Sequence, residues 1–402
     1  MGLAFEEART LILENITALG VERVHLLNAA GRVLAEDVAA PWDLPRWDNS
    51  AMDGYAVRAA DCHGPHALRV TGYLPAGGRA DGLEVTAGTA VKIMTGAPIP
   101  VGCDAVVPVE ETEAAGDEVL IKAAVATGDH IRFHGEDVRV GSLAVPAGTV
   151  LGPPEINMLA TFSQVFVTVI RRPRVAILST GDELVELGDT AGAGQIVNSN
   201  SLSLAIAVQE AGGEPLLLGI ARDNVASLRE KLAQGLTADA LITSAGVSAG
   251  DCDLVRDVLA ELGVQQLFWK IDIKPGRPTA FGLKGKTPVF SLPGNPVSTM
   301  VTFENFVRPA LLKMMGRRHV LRPLLRATLR EPAQKKPGRV HFMRVTVTVE
   351  DGRLSVASSG DQNTGILQTM LRANAIAILP ADRASFEAGE EVMVQLLDTP
   401  AL

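Results

Sequence analysis

The chain has 402 residues, of which 47% are hydrophobic, 21% are charged and 4% are aromatic, and its formal net charge is -9 at pH 7. At about 100 to 200 residues per domain, this length predicts two to four domains with cores of their own. The acidic charge and the few aromatic residues argue against nucleic-acid binding, which needs a basic surface and rings for base stacking. No apolar run approaches the roughly 18 residues of a membrane span. The three cysteines form no paired spacing, so we expect neither a disulfide framework nor a zinc site made of thiolates.

The first predicted element is a helix in residues 1–20, where apolar residues recur at helical spacing. Early acidic residues exclude a signal peptide, so we expect a cytoplasmic protein. Residues 21–138 contain short strand-like runs broken by Gly, Pro and Asp, which predicts an irregular β-rich domain. "PPEINMLATFS" (153–163) begins with prolines that suit a first helical turn. We predict that residues 139–171 and residues 1–20 together form a helical linker domain.

Residues 172–318 show the clearest alternation of strands and helices. The predicted strands are "RVAILST" (174–180), "EPLLLGIARDN" (214–224), "ADALITSAG" (238–246), "QLFWKIDI" (266–273) and "PVFSLPG" (288–294). Helical patterns lie between them, and a long helix follows at 295–315. Strands that alternate with helices across short connections predict a parallel, doubly wound α/β domain.

Residues 319–402 form the last predicted domain. It contains three β-rich runs separated by turn residues, "GRVHFMRVTVTVE" (338–350), "RLSVASS" (353–359) and "NAIAILP" (374–380). These runs predict a small β-barrel or β-sandwich.

Polar residues cluster where the predicted α/β strands end. The segments that follow the strands supply Asp182, Glu183, Asp223, Asp251, Asp253, Lys270, Lys274 and Arg277. In a doubly wound sheet, ligands bind in the crevice at the carboxyl ends of the strands. Lys270 and Lys274, four residues apart on one predicted strand, would share a face.

This mixture of charges predicts a ligand with phosphate groups. Glycine-rich turns before helices offer backbone N–H groups to phosphate, and lysines add positive charge. Carboxylates beside phosphates most simply hold Mg²⁺. Because the chain has no GxGxxG after the first strand and no Walker A motif, neither a dinucleotide dehydrogenase nor a P-loop enzyme is supported. The residues alone predict binding of a phosphorylated, nucleotide-containing ligand together with Mg²⁺.

Each of these features also has a purely structural interpretation. Asp182 and Asp251 could cap helices, and Gly294 and Pro296 could serve a turn and a first helical turn. "GEDV" (135–138) could be a surface turn, and the two lysines could lie on a solvated strand edge. The coincidence of five polar strand ends favours a functional site.

Seven motifs in series, spread over nearly the full length, resemble the molybdopterin molybdenumtransferase (MoeA) family, which includes the C-terminal domain of gephyrin. They are "DNSAMDGYAV" (48–57), "MTGAPIP" (94–100), "GEDV", "STGDEL" (179–184), "SAGVSAGDCD" (244–253), "KPGRP" (274–278) and "LPGNPVS" (292–298). The resemblance implies a MogA-like, molybdopterin-binding α/β domain and a C-terminal β-barrel. It implies an enzyme that takes adenylylated molybdopterin, releases AMP in the presence of Mg²⁺ and inserts molybdate. It also implies an elongated homodimer with an active site shared between subunits, and other cofactor-biosynthesis proteins are conceivable partners.

The resemblance assigns roles to individual residues. The catalytic candidates are Asp53, Glu183, Asp223 and Asp253, the last three of which would also hold Mg²⁺. The substrate-binding candidates are Thr95, Asp137, Ser179, Thr180, Gly181, Ser248, Gly250, Lys270, Lys274, Arg277, Pro293, Gly294, Asn295 and Pro296. Around Asp53, we expect Asn49 and Ser50 to satisfy local backbone groups and Gly54 to adopt a backbone conformation closed to other residues.

Two segments depart from the family pattern. Arg277 stands where many relatives have lysine, which replaces a point charge by a planar fork. "SGDQNTG" (359–365) matches the family's serine-bearing loop only loosely, which makes Gln362 and Thr364 additional candidates. Two other functions remain open at this stage: a paralogue that loads tungstate, and a non-enzymatic scaffold or binding protein of the same fold.

Overall fold

The computed structural model describes residues 2–246 and 254–398. The chain divides into two compact units. The first unit comprises residues Met1–Val24, Ala29–Ala35 and Thr168–Leu402, and the second comprises His25–Asn28 and Glu36–Val167. Within the described residues, no helix is long and apolar enough to cross a membrane.

A six-stranded, mostly antiparallel sheet forms the body of the second unit. Its strands lie in the order Ala105–Pro108, Gly54–Val57, Thr89–Ile93, His66–Leu74, Glu118–Ile121 and Thr112–Ala115. Apolar residues on its two faces form separate clusters, one around Val57 and Val107 and one around Val91 and Val106. The predicted β-rich region is therefore a folded sheet with a core on each face.

Short elements surround this sheet. Asn49–Ser50 pairs with Ile131–Arg132, and Val38–Ala39 pairs with Leu143–Val145. The predicted helix is present as Pro153–Thr161, with proline in its first turn. Single 3-10 turns occur at Leu26–Asn28, Ala59–Asp61 and Val109–Glu111. The strands Val21–His25 and Phe166–Ile170 pair in a two-stranded ribbon.

The first unit contains the predicted α/β domain. Its strands lie in the order Glu214–Ala221, Arg174–Thr180, Ala240–Ser244, Thr287–Leu292, Ala280–Lys284 and Gln265–Phe268. The first four strands are parallel, whereas the last two join in antiparallel fashion. The doubly wound fold is confirmed, but the sheet is mixed because Ala280–Lys284 adds an antiparallel strand that the sequence did not predict.

Helices cover both faces of this sheet. They are Ser199–Glu210, Val225–Gly235, Leu254–Glu261 and the long final helix, which runs as Pro296–Thr302, a π-helical turn Phe303–Val307 and Arg308–Met314. The N-terminal helix Phe5–Glu14 packs beside the final helix, with the Phe5 and Phe306 rings 5.7 Å apart. Its pairing with residues 139–171 in one linker domain, like the other predicted domain boundaries, stays a prediction.

Five strands close the C-terminal β-barrel. They are Leu324–Leu329, Val340–Glu350, Arg353–Ser358, Ala375–Leu379 and Glu391–Leu396. The ring closes because Val340–Glu350 pairs with Arg353–Ser358 along one edge and with Ala375–Leu379 along the other. Smaller elements here are the helix Gln368–Arg372 and the pair Ala333–Gln334 with Ser385–Phe386. The barrel, and not the sandwich, is therefore the correct alternative.

One predicted strand is wrong. "QLFWKIDI" splits into Gln265–Phe268, on the sheet edge, and Ile273–Lys274, which pairs with the barrel strand at Val340 and His341. Lys270 lies in the segment between them. The two lysines therefore do not share one face of one strand, because the chain leaves the sheet and reaches the barrel between them.

Candidate active site

One part of the candidate site lies at the carboxyl end of the strand Arg174–Thr180. Ser179 lines a narrow cleft of about 80 Å³ and donates a hydrogen bond of 2.8 Å from Oγ to Asn198 Oδ1. Thr180 Oγ1 is buried without a hydrogen-bond partner among the described residues. The same holds for Thr243 Oγ1 at the end of the neighbouring strand and for one side-chain atom each of Asn198 and Asn200. Buried polar atoms are nearly always paired in folded proteins, so this cluster marks the edge as a place for ligand or water.

Glu183 lies in the turn that follows this strand and lines the same cleft with its exposed side chain. Gly181 precedes it with φ of +145°, and a side chain at Gly181 would collide with the Glu183 carboxylate. Asp182 does not cap a helix. Its Oδ1 accepts a 3.2 Å hydrogen bond from the backbone N–H of Asp223.

Arg222 links the segment that bears Asp223 to the turn that bears Glu183. Its Nη1 donates to the carbonyl oxygens of Gly181, Asp182 and Leu184 at 3.4, 3.2 and 2.9 Å. Since the strands that precede these segments are adjacent and parallel, Glu183 and Asp223 lie on neighbouring strand ends. Both carboxylates are exposed and face an edge that Arg222 makes rigid.

A second cavity, of about 480 Å³, adjoins the cleft through Ala245 and Gly294, which line both. We call it the oxyanion cavity. Its cationic side chains are Lys274, Arg277 and Arg339, and its described walls contain no carboxylate. Asp272 lies 3.9 Å from the Arg277 guanidinium. Such a lining attracts an anion through charge and through N–H donors.

Polar groups of two domains meet at this cavity. Ser298 and Thr364 supply hydroxyl groups to its wall, and Asn295 Nδ2 donates a 2.9 Å hydrogen bond to Thr364 Oγ1. Asn200 Nδ2 donates to Ser244 Oγ at 2.9 Å and to the Gly294 carbonyl at 2.8 Å. The predicted residues Pro293, Gly294 and Asn295 thus line the oxyanion cavity, while Pro296 lines the cleft and starts a helix.

A buried arginine shapes the loop that bears Thr364. Arg344 is fully buried, and its guanidinium donates to Thr369 Oγ1 at 2.7 Å and to the carbonyls of Asp361 and Asn363 at 3.0 and 3.2 Å. Gln362 does not face the cavity. It bonds instead to the Arg344 backbone through Oε1 and Nε2, at 2.9 and 3.0 Å. Of the two candidates in this loop, only Thr364 lines the site.

Asp53 and Thr95, in the second unit, are joined directly. Asp53 Oδ1 accepts hydrogen bonds from the Thr95 backbone N–H at 2.8 Å and from Thr95 Oγ1 at 2.7 Å. These two bonds, the backbone bond first, hold the pKa of the exposed Asp53 carboxyl below its ordinary value. Asp53 therefore remains an anion in a fixed orientation.

The residues around Asp53 shape its turn. Ser50 Oγ donates to the Met52 carbonyl at 2.6 Å, and Asn49 Nδ2 donates to the Trp47 carbonyl at 3.1 Å, as expected. The prediction that Gly54 adopts a backbone conformation closed to other residues is wrong, because its φ is not positive. A side chain there would instead collide with the carbonyl oxygen of Val107 on the paired strand.

Asp137 lines another cavity of the second unit, of about 490 Å³, together with Leu44, Arg132 and Asn157. Its backbone N–H donates to the Leu44 carbonyl at 3.0 Å. "GEDV" is a turn, so the structural interpretation of its backbone is correct, although the side chain of Asp137 faces a cavity.

Four predicted residues lie outside the described part of the chain: Ser248, Gly250, Asp251 and Asp253. Within residues 2–246 and 254–398, no three His, Cys, Asp or Glu residues group closely enough to hold a metal ion. The third predicted Mg²⁺ ligand, Asp253, lies outside these residues. The metal site stays a prediction.

The described cysteines are poor ligands and nucleophiles. Burial raises the pKa of the Cys62 thiol and of the Cys103 thiol to about 11 in each case. Both groups are therefore neutral thiols near neutral pH, whereas a nucleophile or a metal ligand has to be a thiolate.

Several site residues were not predicted: Asn198, Asn200, Arg222, Ser298, Arg339 and Arg344. Asn198 caps the helix Ser199–Glu210, where its side chain accepts a hydrogen bond from the Ser201 N–H. An arginine between apolar residues in "HFMRVTV" is the one signal that could have identified Arg344. Ser298 ends the motif "LPGNPVS", which is the signal that could have identified it. Arg339 carries no local signal, since only the tertiary fold brings it to the cavity.

Comparison with known proteins agrees with this architecture. Residues 3–163 match the MoeA N-terminal region (domains I and II), residues 176–313 match the probable molybdopterin binding domain, and residues 326–397 match the MoeA C-terminal region (domain IV). Molybdopterin molybdenumtransferase 2 of Mycobacterium tuberculosis is 38% identical over 402 residues, covering 97% of this chain and 98% of that protein. Molybdopterin molybdenumtransferase of Haemophilus influenzae is 36% identical over 398 residues, covering 98% of each.

Solved structures agree as well. The crystal structure of the molybdopterin biosynthesis MoeA protein from Pyrococcus horikoshii OT3 superimposes with a TM-score of 0.83 at 34% identity, covering 98% of this chain and all of that one. The chain therefore belongs to the molybdopterin molybdenumtransferase (MoeA) family, and it is a transferase of molybdenum cofactor biosynthesis.

Proposed function

We propose that this enzyme inserts molybdenum from molybdate into adenylylated molybdopterin and releases AMP, as the last step of molybdenum cofactor synthesis. The oxyanion cavity is the observation that carries this proposal. It combines the cations Lys274, Arg277 and Arg339 with hydroxyl donors and adjoins a cleft lined by Glu183. A dianion such as molybdate suits the cavity, and the acidic cleft suits a cation beside the diphosphate of the substrate.

The reaction balances without an oxidant. Water cleaves the phosphoanhydride bond, so that AMP leaves and the phosphate stays on molybdopterin. The two thiols of the dithiolene form two bonds to molybdenum, and one oxide leaves as water with both thiol protons. The cationic side chains bind the oxyanion, and Thr364 and Ser298 donate hydrogen bonds to it. Arg222 positions the acidic turn through the carbonyls that it contacts.

The carboxylates at the strand ends suit Mg²⁺. Glu183 and Asp223 are exposed oxygen donors on adjacent parallel strands, and a cation that keeps several waters needs only one or two carboxylates. Together with Asp253 they would hold the ion, which would neutralise charge on the diphosphate during AMP release.

We further propose that the enzyme is a cytoplasmic homodimer and that Asp53 of one subunit completes the site formed around Asp253 of the other. Asp53→Ala and Asp253→Ala chains, unfolded together and reassembled, would then give half mixed dimers, each with one intact site. By symmetry, about a quarter of wild-type activity should return. If mixed dimers form and activity stays at the level of the parents, the site belongs to one chain.

The proposed function is tested by incubating the full chain with adenylylated molybdopterin, molybdate and Mg²⁺. AMP release and molybdenum bound to the product are measured together, and we expect them to rise in parallel. AMP release without molybdenum in the product, or no AMP release, contradicts the proposal. A parallel reaction with tungstate shows which oxyanion is preferred.

A further inference from the structure

The α/β domain contains a third cavity, of about 550 Å³. In the described part of the chain, its lining includes none of the predicted site residues. It lies between the helix Leu254–Glu261 and the strands Ala280–Lys284 and Thr287–Leu292. Small side chains leave this space open. Ala280 and Ser291 are directly opposite each other on the two strands, and Ala260 faces the cavity from the helix. We call this space the ring cavity.

The walls of the ring cavity suit a flat aromatic ligand. The Arg256 guanidinium lies over the Trp269 indole, 5.3 Å from the ring centroid, and both residues line the cavity. Leu259 and Val264 add apolar surface, while Ser291 supplies a hydroxyl group. A stacked indole and guanidinium favour a planar, polarisable ring, and the volume lies in the range of small-molecule sites.

The ring cavity neighbours the oxyanion cavity along the chain. Ala280 comes two residues after Pro278, and Ser291 comes two residues before Pro293; the two prolines line the oxyanion cavity. One molecule with a ring at one end and anionic groups at the other could therefore use both cavities.

We propose that the ring cavity binds the fused nitrogen heteroaromatic ring of the substrate, stacked against Trp269 and Arg256. The inference rests on the proposed function, since the substrate proposed above carries two such rings, a purine and a pterin. The shared chemistry is a flat bicyclic ring whose face stacks and whose nitrogen atoms hydrogen-bond to groups such as the Ser291 hydroxyl.

The test fills the cavity and leaves the anion site unchanged. In the full chain, Ala260→Phe places a ring inside the cavity, and Ala233→Phe makes the same change at an exposed alanine of the helix Val225–Gly235. Binding of AMP, of 6-carboxypterin and of the ring-free probe ribose 5-phosphate is measured by calorimetry. We expect Ala260→Phe to weaken the binding of one ring probe at least tenfold and to leave the binding of ribose 5-phosphate unchanged. Ala233→Phe should leave the binding of all three probes unchanged.

The two ring probes distinguish the sources of the ring. Weakened AMP binding assigns the cavity to the purine, and weakened 6-carboxypterin binding assigns it to the pterin. If Ala260→Phe leaves the binding of both ring probes unchanged, or weakens ribose 5-phosphate equally, the inference is wrong.

A second variant covers the case in which Ala260→Phe does not fold. Trp269→Leu removes the stacking surface and should weaken the same ring probe, while a thermal melt reports its folding. Turnover separates the two proposals. If the wild-type chain inserts molybdenum and both variants keep wild-type KM and ring-probe affinity, the ring inference fails and the function stands. If ring binding depends on both residues but no molybdenum is inserted, the proposed function fails and the ring cavity stands.

Discussion

The side-chain amide of Asn295 donates a 2.9 Å hydrogen bond to the hydroxyl of Thr364, across 69 positions of sequence. Asn295 ends the "LPGN" turn of the α/β domain, and Thr364 lies in a loop of the barrel. This contact brings both domains to the wall of the oxyanion cavity, so the barrel takes part in forming the site.

Thr364→Val keeps the shape of the side chain and removes its hydroxyl. We expect the KM for molybdate to rise roughly ten- to hundredfold, since a hydrogen bond to a charged group is worth about 1.5 to 3 kcal/mol. Thr364→Ser keeps the hydroxyl and should remain near wild type. Equal KM values for the valine and serine variants would show that Thr364 does not contact the oxyanion.

Lys274→Ala removes a cation from the oxyanion cavity and should weaken substrate binding by about 1 to 3 kcal/mol, with a smaller effect on the chemical step. Lys284→Ala, at an exposed lysine that ends the strand Ala280–Lys284, is the matched control. Binding and single-turnover rate are measured separately. Unchanged affinity with a collapsed rate would assign Lys274 to proton transfer instead.

Thr95→Val removes one of the two hydrogen bonds to Asp53 and keeps the backbone N–H. The pKa of Asp53, which both bonds lower, should therefore rise in the variant without reaching its ordinary value. A carbon-detected NMR titration of the Asp53 carboxyl measures this change, and Thr95→Ser should titrate like wild type. Because the folded pKa is depressed, any stability that these bonds confer is present above the ordinary pKa and is lost as the pH falls through the folded pKa.

Glu183→Gln and Asp223→Asn each remove one proposed Mg²⁺ ligand. We expect both to raise the Mg²⁺ concentration required for half-maximal AMP release roughly tenfold or more, as loss of a charged ligand weakens a hard-cation site. Asp189→Asn changes an exposed acid near the same turn and should have no effect. Wild-type turnover in excess chelator would exclude the Mg²⁺ requirement altogether.

His341→Leu should reduce the sensitivity of stability to acid. Burial, with Lys274, Lys335 and Arg344 nearby, lowers the pKa of His341 from 6.5 to about 4, and neither ring nitrogen has a partner among the described residues. The unfolded chain therefore takes up a proton first, so stability is present above pH 6.5 and is lost as the pH falls toward 4, by on the order of 2 to 3 kcal/mol.

The measurement compares urea midpoints at pH 7.5 and pH 5.0. The difference should shrink in His341→Leu, whereas His319→Leu, at an exposed histidine, should behave like wild type. At pH 7.5 His341→Leu should be nearly as stable as wild type, because no hydrogen bond is lost. An undiminished difference between the two pH values would show that His341 is not the titrating group.

The local pattern of the α/β domain was sufficient to predict most of its elements. The strand Arg174–Thr180 is recognisable as a continuous apolar run, because both faces of a parallel sheet are buried. The helix Ser199–Glu210 is recognisable because its buried residues recur at helical spacing. The antiparallel strand Ala280–Lys284 was missed, since its short run lies between two glycine-rich turns. The break after Phe268 was missed because an apolar run does not reveal where the chain leaves a sheet.

The sequence was enough to predict the family, most strands and helices of the α/β domain, and the polar strand ends that bear Glu183 and Asp223. Each of these depends on local periodicity or on a contiguous motif. Three further features are visible only in the folded chain: Val340–Glu350 closes a barrel, Arg339 and Thr364 reach the oxyanion cavity, and Arg344 holds the loop of Thr364. Those features come from pairings between residues far apart in the chain, whose energy depends on packing and edge geometry that no local pattern records.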